Sequence, residues 1–117
     1  MLFRSVDDDG DIAVMLSRIV EHLGYEATPC SQPGEAVALH ATSAFNVVLC
    51  DYNMRPNGLE VLRGFPNSYR IIITAGRINR SIRVGVSMGL VHRVLQKPVT
   101  IKELSDVLSL AAGEAGG

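Results

Sequence analysis

The chain has 117 residues, of which 47% are hydrophobic and 20% are charged. This length provides one domain with a real core, and this composition excludes a disordered protein. No apolar run approaches the roughly 20 residues of a membrane-spanning helix, and no secretory signal opens the chain. With a net charge of −1, the protein has no global positive field, and binding to nucleic acid is not expected. We expect a cytoplasmic protein in which Cys30 and Cys50 are reduced core thiols.

Five apolar segments of strand length recur along the chain. The predicted strands are residues 1–6, 25–28, 46–50, 70–74 and 91–96. Two of them contain continuous apolar runs, at 47–50 and 71–73, rather than alternating ones. Continuous runs are typical of parallel strands that are buried on both faces.

Helical spacing of apolar residues fills the gaps between the strands. The predicted helices are residues 12–23, 32–42, 57–64, 77–89 and 101–111. Thr100 and Glu103 form a capping box for the last helix, whereas two glycines predict a weak fourth helix. The alternation of strands and helices predicts one α/β domain over residues 1–117, with a parallel sheet, right-handed crossovers and a frayed tail at 113–117.

Polar residues follow the ends of four predicted strands. Asp7 and Asp8 begin an acidic run after the first strand, and Asp51 follows the third. Thr74 and Lys97 come next, at intervals of 23 residues. Because functional groups of open α/β sheets collect beyond the carboxyl ends of the strands, we expect these residues to converge at one edge of the sheet.

The residue types at this edge point to phosphoryl chemistry. Clustered carboxylates repel one another unless a cation intervenes, and Mg²⁺ takes carboxylate oxygens while keeping several waters. A carboxylate beside such an ion can attack phosphorus and form an aspartyl phosphate. A lysine ammonium and a threonine hydroxyl can then stabilise the phosphoryl oxygens.

Four segments resemble the receiver domain of response regulators in two-component signalling. They are VDDDGDI at 6–12, VVLCD at 47–51, IITA at 72–75 and QKP at 96–98. They occur in the family's order and spacing over essentially the whole chain. The resemblance implies a flavodoxin-like fold with five parallel strands in the order 2-1-3-4-5, and a cis bond before Pro98.

The resemblance also implies an acceptor and a metal site. Asp51 would be the phosphoacceptor. Asp7 and Asp8 would be the acidic pair that binds Mg²⁺, together with Asp51 and the backbone carbonyl of Asn53.

Switch and output residues follow from the same resemblance. Thr74 would follow the phosphoryl group as the switch hydroxyl, and Lys97 would pair with that group. The family usually has an aromatic residue three positions before the lysine, where this chain has Val94. A threonine–aromatic relay is therefore not expected, and His92 and Arg93 are the polar neighbours on the output strand.

As a receiver domain, the chain is expected to accept phosphate from a sensor histidine kinase or a phosphotransfer protein and not to act as an enzyme in its own right. It would then bind a downstream protein or a second copy through the face formed by the fourth predicted helix, the fifth strand and the last helix.

Five of the nine arginines lie in the segment from Arg70 to Arg93. They are expected to form either a solvated polar face or a docking patch. Because the predicted domain accounts for all 117 residues, we expect it to dock onto a partner or to have lost an effector domain.

Two other classes of protein remain open. A Mg²⁺-dependent phosphohydrolase with an aspartyl-phosphate intermediate would need a second acid two residues after the nucleophile, where this chain has Asn53. A pseudo-receiver that binds partners without phosphorylation is favoured by Val94 and by the unusual loop at 54–58, which brings Arg55 near the site.

Overall fold

One sheet of five parallel strands forms the centre of the computed structural model, which describes residues 2–32 and 45–116. In chain order the strands are β1 (Leu2–Val6), β2 (Glu26–Cys30), β3 (Val47–Asp51), β4 (Tyr69–Thr74) and β5 (Arg93–Gln96). Their order across the sheet is β2-β1-β3-β4-β5, and every neighbouring pair is parallel. The predicted fold class and strand order are therefore confirmed.

Helices connect the strands. In the described part of the chain they are α1 (Gly10–His22), α2 (Gly58–Leu62), α3 (Arg80–Ser87) and α4 (Ile101–Gly116). None of these helices is long and apolar enough to cross a membrane. The helix predicted over 32–42 lies, apart from its first residue, outside the described residues. Helix α4 includes most of the segment 113–117, whose fraying stays a prediction.

Apolar residues cover both faces of the sheet, as the continuous runs predict. Phe3, Leu49 and Ile71 are fully buried on the side of α1 and α4. Val48 and Ile72, which alternate with them, are fully buried on the side of α2 and α3. Burial on both sides holds the strands in place. The predicted polar site residues lie at the carboxyl ends of these strands.

Helix α3 is shorter than the predicted segment 77–89. It begins at Arg80 because Asn79 is its N-cap, with Oδ1 accepting a hydrogen bond from the N–H of Ile82 at 2.9 Å. It ends before Gly89, whose φ of +79° lies in the left-handed region that favours glycine. The two caps restrict the helix to eight residues.

Gly85 allows α3 to pack closely against its neighbours. A Cβ at this buried position would lie 3.3 Å from side-chain atoms of both Leu59 and Val91. The N–H groups of Leu90 and Val91 both bond to the Gly85 carbonyl, at 2.9 and 3.1 Å. These bonds keep the chain in the turn after α3, so β5 begins two residues later than the predicted strand at 91–96.

Arg70 is a structural residue and does not belong to the exposed arginines. It is 8% exposed, and its guanidinium lies 2.7–2.9 Å from five main-chain carbonyl oxygens. These belong to Phe65, Pro66, Ser68, Gly89 and Leu90. Arg70 thus joins the segment before β4 to the segment before β5, and its assignment to a solvated or docking face is wrong. The other arginines of that group, Arg77, Arg80, Arg83 and Arg93, are exposed.

Candidate functional site

Five predicted site residues converge at the carboxyl edge of the sheet. The Nζ of Lys97 lies 3.1 Å from Oδ2 of Asp7 and 3.2 Å from Oδ1 of Asp51. Carboxylate oxygens of Asp7, Asp8 and Asp51 lie within 4.8 Å of one another. Thr74 ends β4, and its carbonyl accepts a hydrogen bond from the N–H of Lys97 at 2.8 Å. The strand order therefore brings residues from opposite ends of the chain into one site.

The acidic residues after β1 have two different roles. Asp9 is the N-cap of α1 and accepts hydrogen bonds from the N–H groups of Asp11 and Ile12. Asp7 accepts a hydrogen bond from the N–H of Asp9 at 3.0 Å, which fixes its carboxylate toward the site. Only Asp7 and Asp8 of this run belong to the acidic cluster.

Asp51 is a poorly solvated carboxylate. Asp51 is 3% exposed and Asp7 is 1% exposed, whereas Asp8 is open to solvent. Burial raises the pKa of Asp51 above its ordinary value, and the negative charge of Asp7 adds to this increase. The Lys97 ammonium and the backbone N–H of Asn53 stabilise the carboxylate and partly oppose the increase in pKa.

One oxygen of Asp51 lacks a hydrogen-bond partner among the described residues. It is Oδ1, which faces the Lys97 ammonium at 3.2 Å but outside hydrogen-bond geometry. A buried carboxylate oxygen without a donor suits a hard divalent cation. With Asp7 and Asp8 it forms an oxygen-only donor set that fits Mg²⁺. The role of the Asn53 backbone carbonyl as a further ligand stays a prediction.

Lys97 provides the positive charge of the site. Burial lowers its pKa, but the contacts with Asp7 and Asp51 outweigh this and raise the pKa of Lys97 overall. The Lys97–Pro98 peptide bond is cis, as the resemblance implies. Lys97 is therefore an ammonium at neutral pH, positioned between two carboxylates.

The loops after β3 and β4 are joined beside Asp51. The side-chain Oδ1 of Asn53 accepts a hydrogen bond from the N–H of Ala75 at 2.9 Å. Thr74 is 1% exposed, and its Oγ1 accepts a hydrogen bond from the N–H of Gly76 at 3.2 Å. No sequence pattern indicates the Asn53–Ala75 contact, because no spacing rule pairs residues of two different loops.

A second link runs from the loop after β3 to α3. The Tyr52 hydroxyl accepts a hydrogen bond from Nδ2 of Asn79 at 3.1 Å, while Oδ1 of Asn79 caps α3. Because Tyr52 directly follows Asp51, this pair connects the acidic site to the start of α3. Sequence reasoning missed both residues, although an asparagine before a helical segment is an N-cap signal that indicates Asn79.

The predicted output residues differ in their surroundings. Val94 is half-buried and packs against the apolar cluster under α2 and α3. His92 has structural contacts: its Nδ1 accepts a hydrogen bond from the N–H of Arg70 at 2.9 Å, and its ring stacks on Tyr69 with centroids 4.6 Å apart. Arg93 is the exposed member of this group.

Other residues singled out from the sequence have simpler environments. Cys30 and Cys50 are free, buried thiols, as predicted. Burial and the charge of Asp51 raise the pKa of Cys50, so its thiol stays protonated. Arg55 is exposed and lines an open groove that also contains Asp8.

Gly58 allows α2 to approach Asp51 closely. A Cβ at this position would overlap the carbonyl oxygen of Asp51 and the side chain of Ile72. We expect Gly58→Ala to lower the free energy of unfolding by about 2 kcal/mol, since overpacking a filled site costs about 1–3 kcal/mol. Urea unfolding measures this loss. Gly76→Ala is the matched control, because a Cβ there meets nothing within 4 Å; equal stabilities of the two variants would contradict the role of Gly58.

Comparison with known families agrees with this fold and this acidic cluster. The family model of the response regulator receiver domain matches residues 4–109. The chain therefore belongs to the response regulator receiver domain family of two-component systems. Receiver domains bind Mg²⁺ at an acidic pocket, which here corresponds to the cluster of Asp7, Asp8 and Asp51.

Solved structures with this fold include receiver domains from several organisms. A CheY-like response regulator receiver domain protein from Methanospirillum hungatei JF-1 has a TM-score of 0.88 at 24% identity, covering 98% of this chain and 95% of that one. A receiver domain protein from Clostridium thermocellum has a TM-score of 0.87 at 23% identity, covering 97% and 94%. An adenylate cyclase structure from Rhodopirellula baltica has a TM-score of 0.88 at 25% identity, covering 97% and 88%. No curated protein matches the sequence at a significant level.

Proposed function

We propose that this protein is a cytoplasmic phosphoacceptor, which receives a phosphoryl group on Asp51 from a sensor histidine kinase or a phosphotransfer protein and thereby changes its binding to a partner. The observation that carries this proposal is the buried Asp51 carboxylate, with one oxygen unpartnered among the described residues, beside Lys97 and next to Asp7 and Asp8. Such a carboxylate has an oxygen lone pair that is available for nucleophilic attack. The neighbouring charges can stabilise a phosphoryl group.

The residues of the site supply what phosphoryl transfer requires. A carboxylate oxygen of Asp51 attacks the phosphorus of a phosphohistidine whose other ring nitrogen carries a proton, the P–N bond breaks, and its electron pair stays on the imidazole, which leaves as the neutral base. The Lys97 ammonium neutralises charge on the phosphoryl oxygens, and the Thr74 hydroxyl donates a hydrogen bond to one of them. Bound Mg²⁺, held by Asp7, Asp8 and Asp51, would supply further neutralisation of that charge. The product is an acyl phosphate that water slowly hydrolyses, so the protein is a reactant and not a turnover enzyme.

The intact mass of the protein after incubation with acetyl phosphate tests this proposal. We expect one phosphoryl group per chain in the presence of Mg²⁺ and none when the metal is chelated, because Asp7, Asp8 and Asp51 otherwise repel the incoming phosphate. Absence of any mass gain with Mg²⁺ would contradict the proposal and favour a pseudo-receiver that works without phosphorylation. Steady turnover of phosphomonoesters would instead favour the phosphohydrolase.

A groove between α1 and α4 supports a docking position for the phosphoryl donor. Helix α1 begins directly after the acidic residues, so its outer face borders the site. Met15 is 51% exposed and Ile101 is 64% exposed, and both line this groove. An apolar strip beside a buried acceptor is a surface that a donor protein can cover while it presents its phosphohistidine.

Met15→Asp is expected to slow phosphoryl transfer from a protein donor without slowing uptake from a small-molecule donor. It should slow transfer from an autophosphorylated histidine kinase at least about tenfold, because the variant loses an apolar contact and places a charge in the interface. Uptake from acetyl phosphate should stay within about twofold of the wild type, since Met15 is an exposed residue of α1 and is not part of the acidic cluster. Leu110→Asp is the matched control, at 49% exposure on α4. Equal slowing by both variants, or by both donors, would contradict this docking position.

The link from Tyr52 through Asn79 supports α3 as the element that responds to phosphorylation. Val94 has neither a hydroxyl group nor an aromatic ring that could move together with Thr74. The threonine–aromatic relay typical of the family therefore lacks its second residue here. The Tyr52–Asn79 hydrogen bond offers another connection, from the residue after Asp51 to the cap of α3. The proposed output is binding of a downstream protein or a second copy at the face of α3, β5 and α4.

A further inference from the structure

A groove between α2 and α3 is lined by none of the predicted phosphoacceptor site residues. Arg80, Val84 and Met88 line one wall, and their spacing of four residues aligns them along one side of α3. Val84 is 45% exposed and Met88 is 80% exposed. Such a stripe of exposed apolar side chains on a helix is a feature of interaction surfaces.

The opposite wall and the floor complete the groove. Leu59 and Arg63 contribute from α2 and its C-cap. Gly85 lies at the floor, where the absence of a side chain lets α3 approach Leu59 closely. The groove thus has an apolar base between two short helices, with arginines on both sides.

The charge around the groove is positive. Of the eight arginine and lysine residues between Glu60 and Glu103, three line the groove, namely Arg63, Arg70 and Arg80. Arg63 and Arg80 are exposed at the rim, and Glu60 is the single acidic residue among the described residues that line the groove. Arg70, which also borders it, is occupied by main-chain carbonyls.

We propose that this groove binds an amphipathic helix of a partner protein, with an apolar stripe flanked by acidic residues. Helices bind grooves of this kind through apolar anchors spaced three and four residues apart. Met88 can adapt its shape to such anchors, and Arg63 and Arg80 can form paired hydrogen bonds with carboxylates. This binding goes beyond the phosphoacceptor role and does not require phosphorylation of Asp51.

The last helix of the chain itself does not fit this role. On α4, Leu104 and Leu108 are buried against the sheet, and the exposed Ile101 and Leu110 lie at separate places along the helix. This favours another protein as the source of a continuous apolar stripe with acidic flanks. Nucleic acid does not match an apolar wall that contains no aromatic side chain.

Two fluorescent peptides with the same leucine spacing test the proposal, one flanked by glutamates and one by lysines. In fluorescence anisotropy, the glutamate peptide should bind at least about tenfold more tightly than the lysine peptide, and added salt should weaken it. The same result is expected with Asp51→Asn, so that failure of the phosphoacceptor proposal does not affect this one. No binding of the glutamate peptide, or equal binding of both, would overturn the proposal.

Substitutions on the two sides of α3 locate the surface. Val84→Ser with Met88→Ser should lower the affinity for the glutamate peptide about tenfold, as loss of central anchors does. Val86→Ser is the matched control, because Val86 is 43% exposed but lines no part of the groove. The affinity of this variant for the glutamate peptide should be unchanged. Arg63→Glu with Arg80→Glu should reverse the preference between the peptides.

Three results would assign the groove to something else and overturn the proposal. Equal loss of affinity in Val86→Ser would place the peptide elsewhere on α3. Competition by a DNA duplex would indicate a nucleic-acid surface. Self-association in sedimentation that disappears with Val84→Ser and Met88→Ser would indicate that a second copy fills the groove.

Discussion

Asp51→Asn is expected to abolish phosphoryl uptake from both acetyl phosphate and a histidine kinase. An amide at this position has no nucleophilic oxygen for attack on phosphorus, and no other residue of the site has the same buried, unpartnered carboxylate oxygen among the described residues. Radiolabel or intact mass measures the uptake. Asp9→Asn is the control, because asparagine caps a helix as well as aspartate does, and uptake should stay within about twofold. Labelling of Asp51→Asn at the wild-type level would contradict the assignment.

The same substitution should also change stability with a defined pH dependence. In metal-free buffer at neutral pH, Asp51→Asn should raise the free energy of unfolding by about 1 kcal/mol, or Tm by about 4 °C, because it removes a buried charge that Asp7 repels. The raised pKa of Asp51 means that the wild type becomes relatively more stable as the carboxyl group takes up a proton in the folded state. The advantage of asparagine should therefore shrink as pH falls through that raised pKa and disappear below the ordinary pKa of 3.8.

Lys97→Met is expected to destabilise the protein by about 2 kcal/mol at neutral pH without metal, because removal of one partner leaves buried charges uncompensated. Asp7 and Asp51 would then face each other without the ammonium that lies 3.1 and 3.2 Å from them. The contribution of Lys97 is present at neutral pH, since its pKa is raised, and would be lost only at alkaline pH. Phosphoryl uptake should fall at least about tenfold, since a cation that neutralises the phosphoryl oxygens is missing.

Chemical denaturation with and without Mg²⁺ measures this effect and separates its causes. Lys102→Met, at an exposed position of α4, is the control and should change stability by less than about 0.5 kcal/mol. Mg²⁺ should restore more stability to Lys97→Met than it adds to the wild type, because it replaces the missing positive charge. Acidification should also reduce the difference, as Asp51 becomes protonated. A Lys97→Met variant as stable as the wild type at neutral pH would contradict the ion-pair account.

The fold could be predicted from the sequence because burial on two sides leaves a strong pattern. The continuous runs at 47–50 and 71–73 belong to the central strands β3 and β4, where alternating residues pack on opposite faces. Element ends were less accurate, since they depend on hydrogen bonds that a pattern does not contain. Helix α3 begins at Arg80 because of the Asn79 cap, and β5 begins late because the turn after α3 bonds to Gly85.

The acidic site could be predicted from spacing, whereas its connections could not. Asp51 and Lys97 follow strands at regular intervals, so the topology alone brings them together. The Tyr52–Asn79 bond joins side chains 27 residues apart and depends on the position of α3. The charge of Arg70 predicts an exposed residue, whereas its position in a strand buried on both faces favours the interior, where it lies.

Chemical mapping of the phosphorylated residue tests the central claim most directly. Borohydride reduces the acyl phosphate of an aspartate to homoserine, and tandem mass spectrometry then identifies its position in the chain. After incubation with acetyl phosphate and Mg²⁺, we expect homoserine at position 51 alone, and none when Mg²⁺ is chelated. Homoserine at position 7, 8 or 9, or its absence from position 51, would contradict the account.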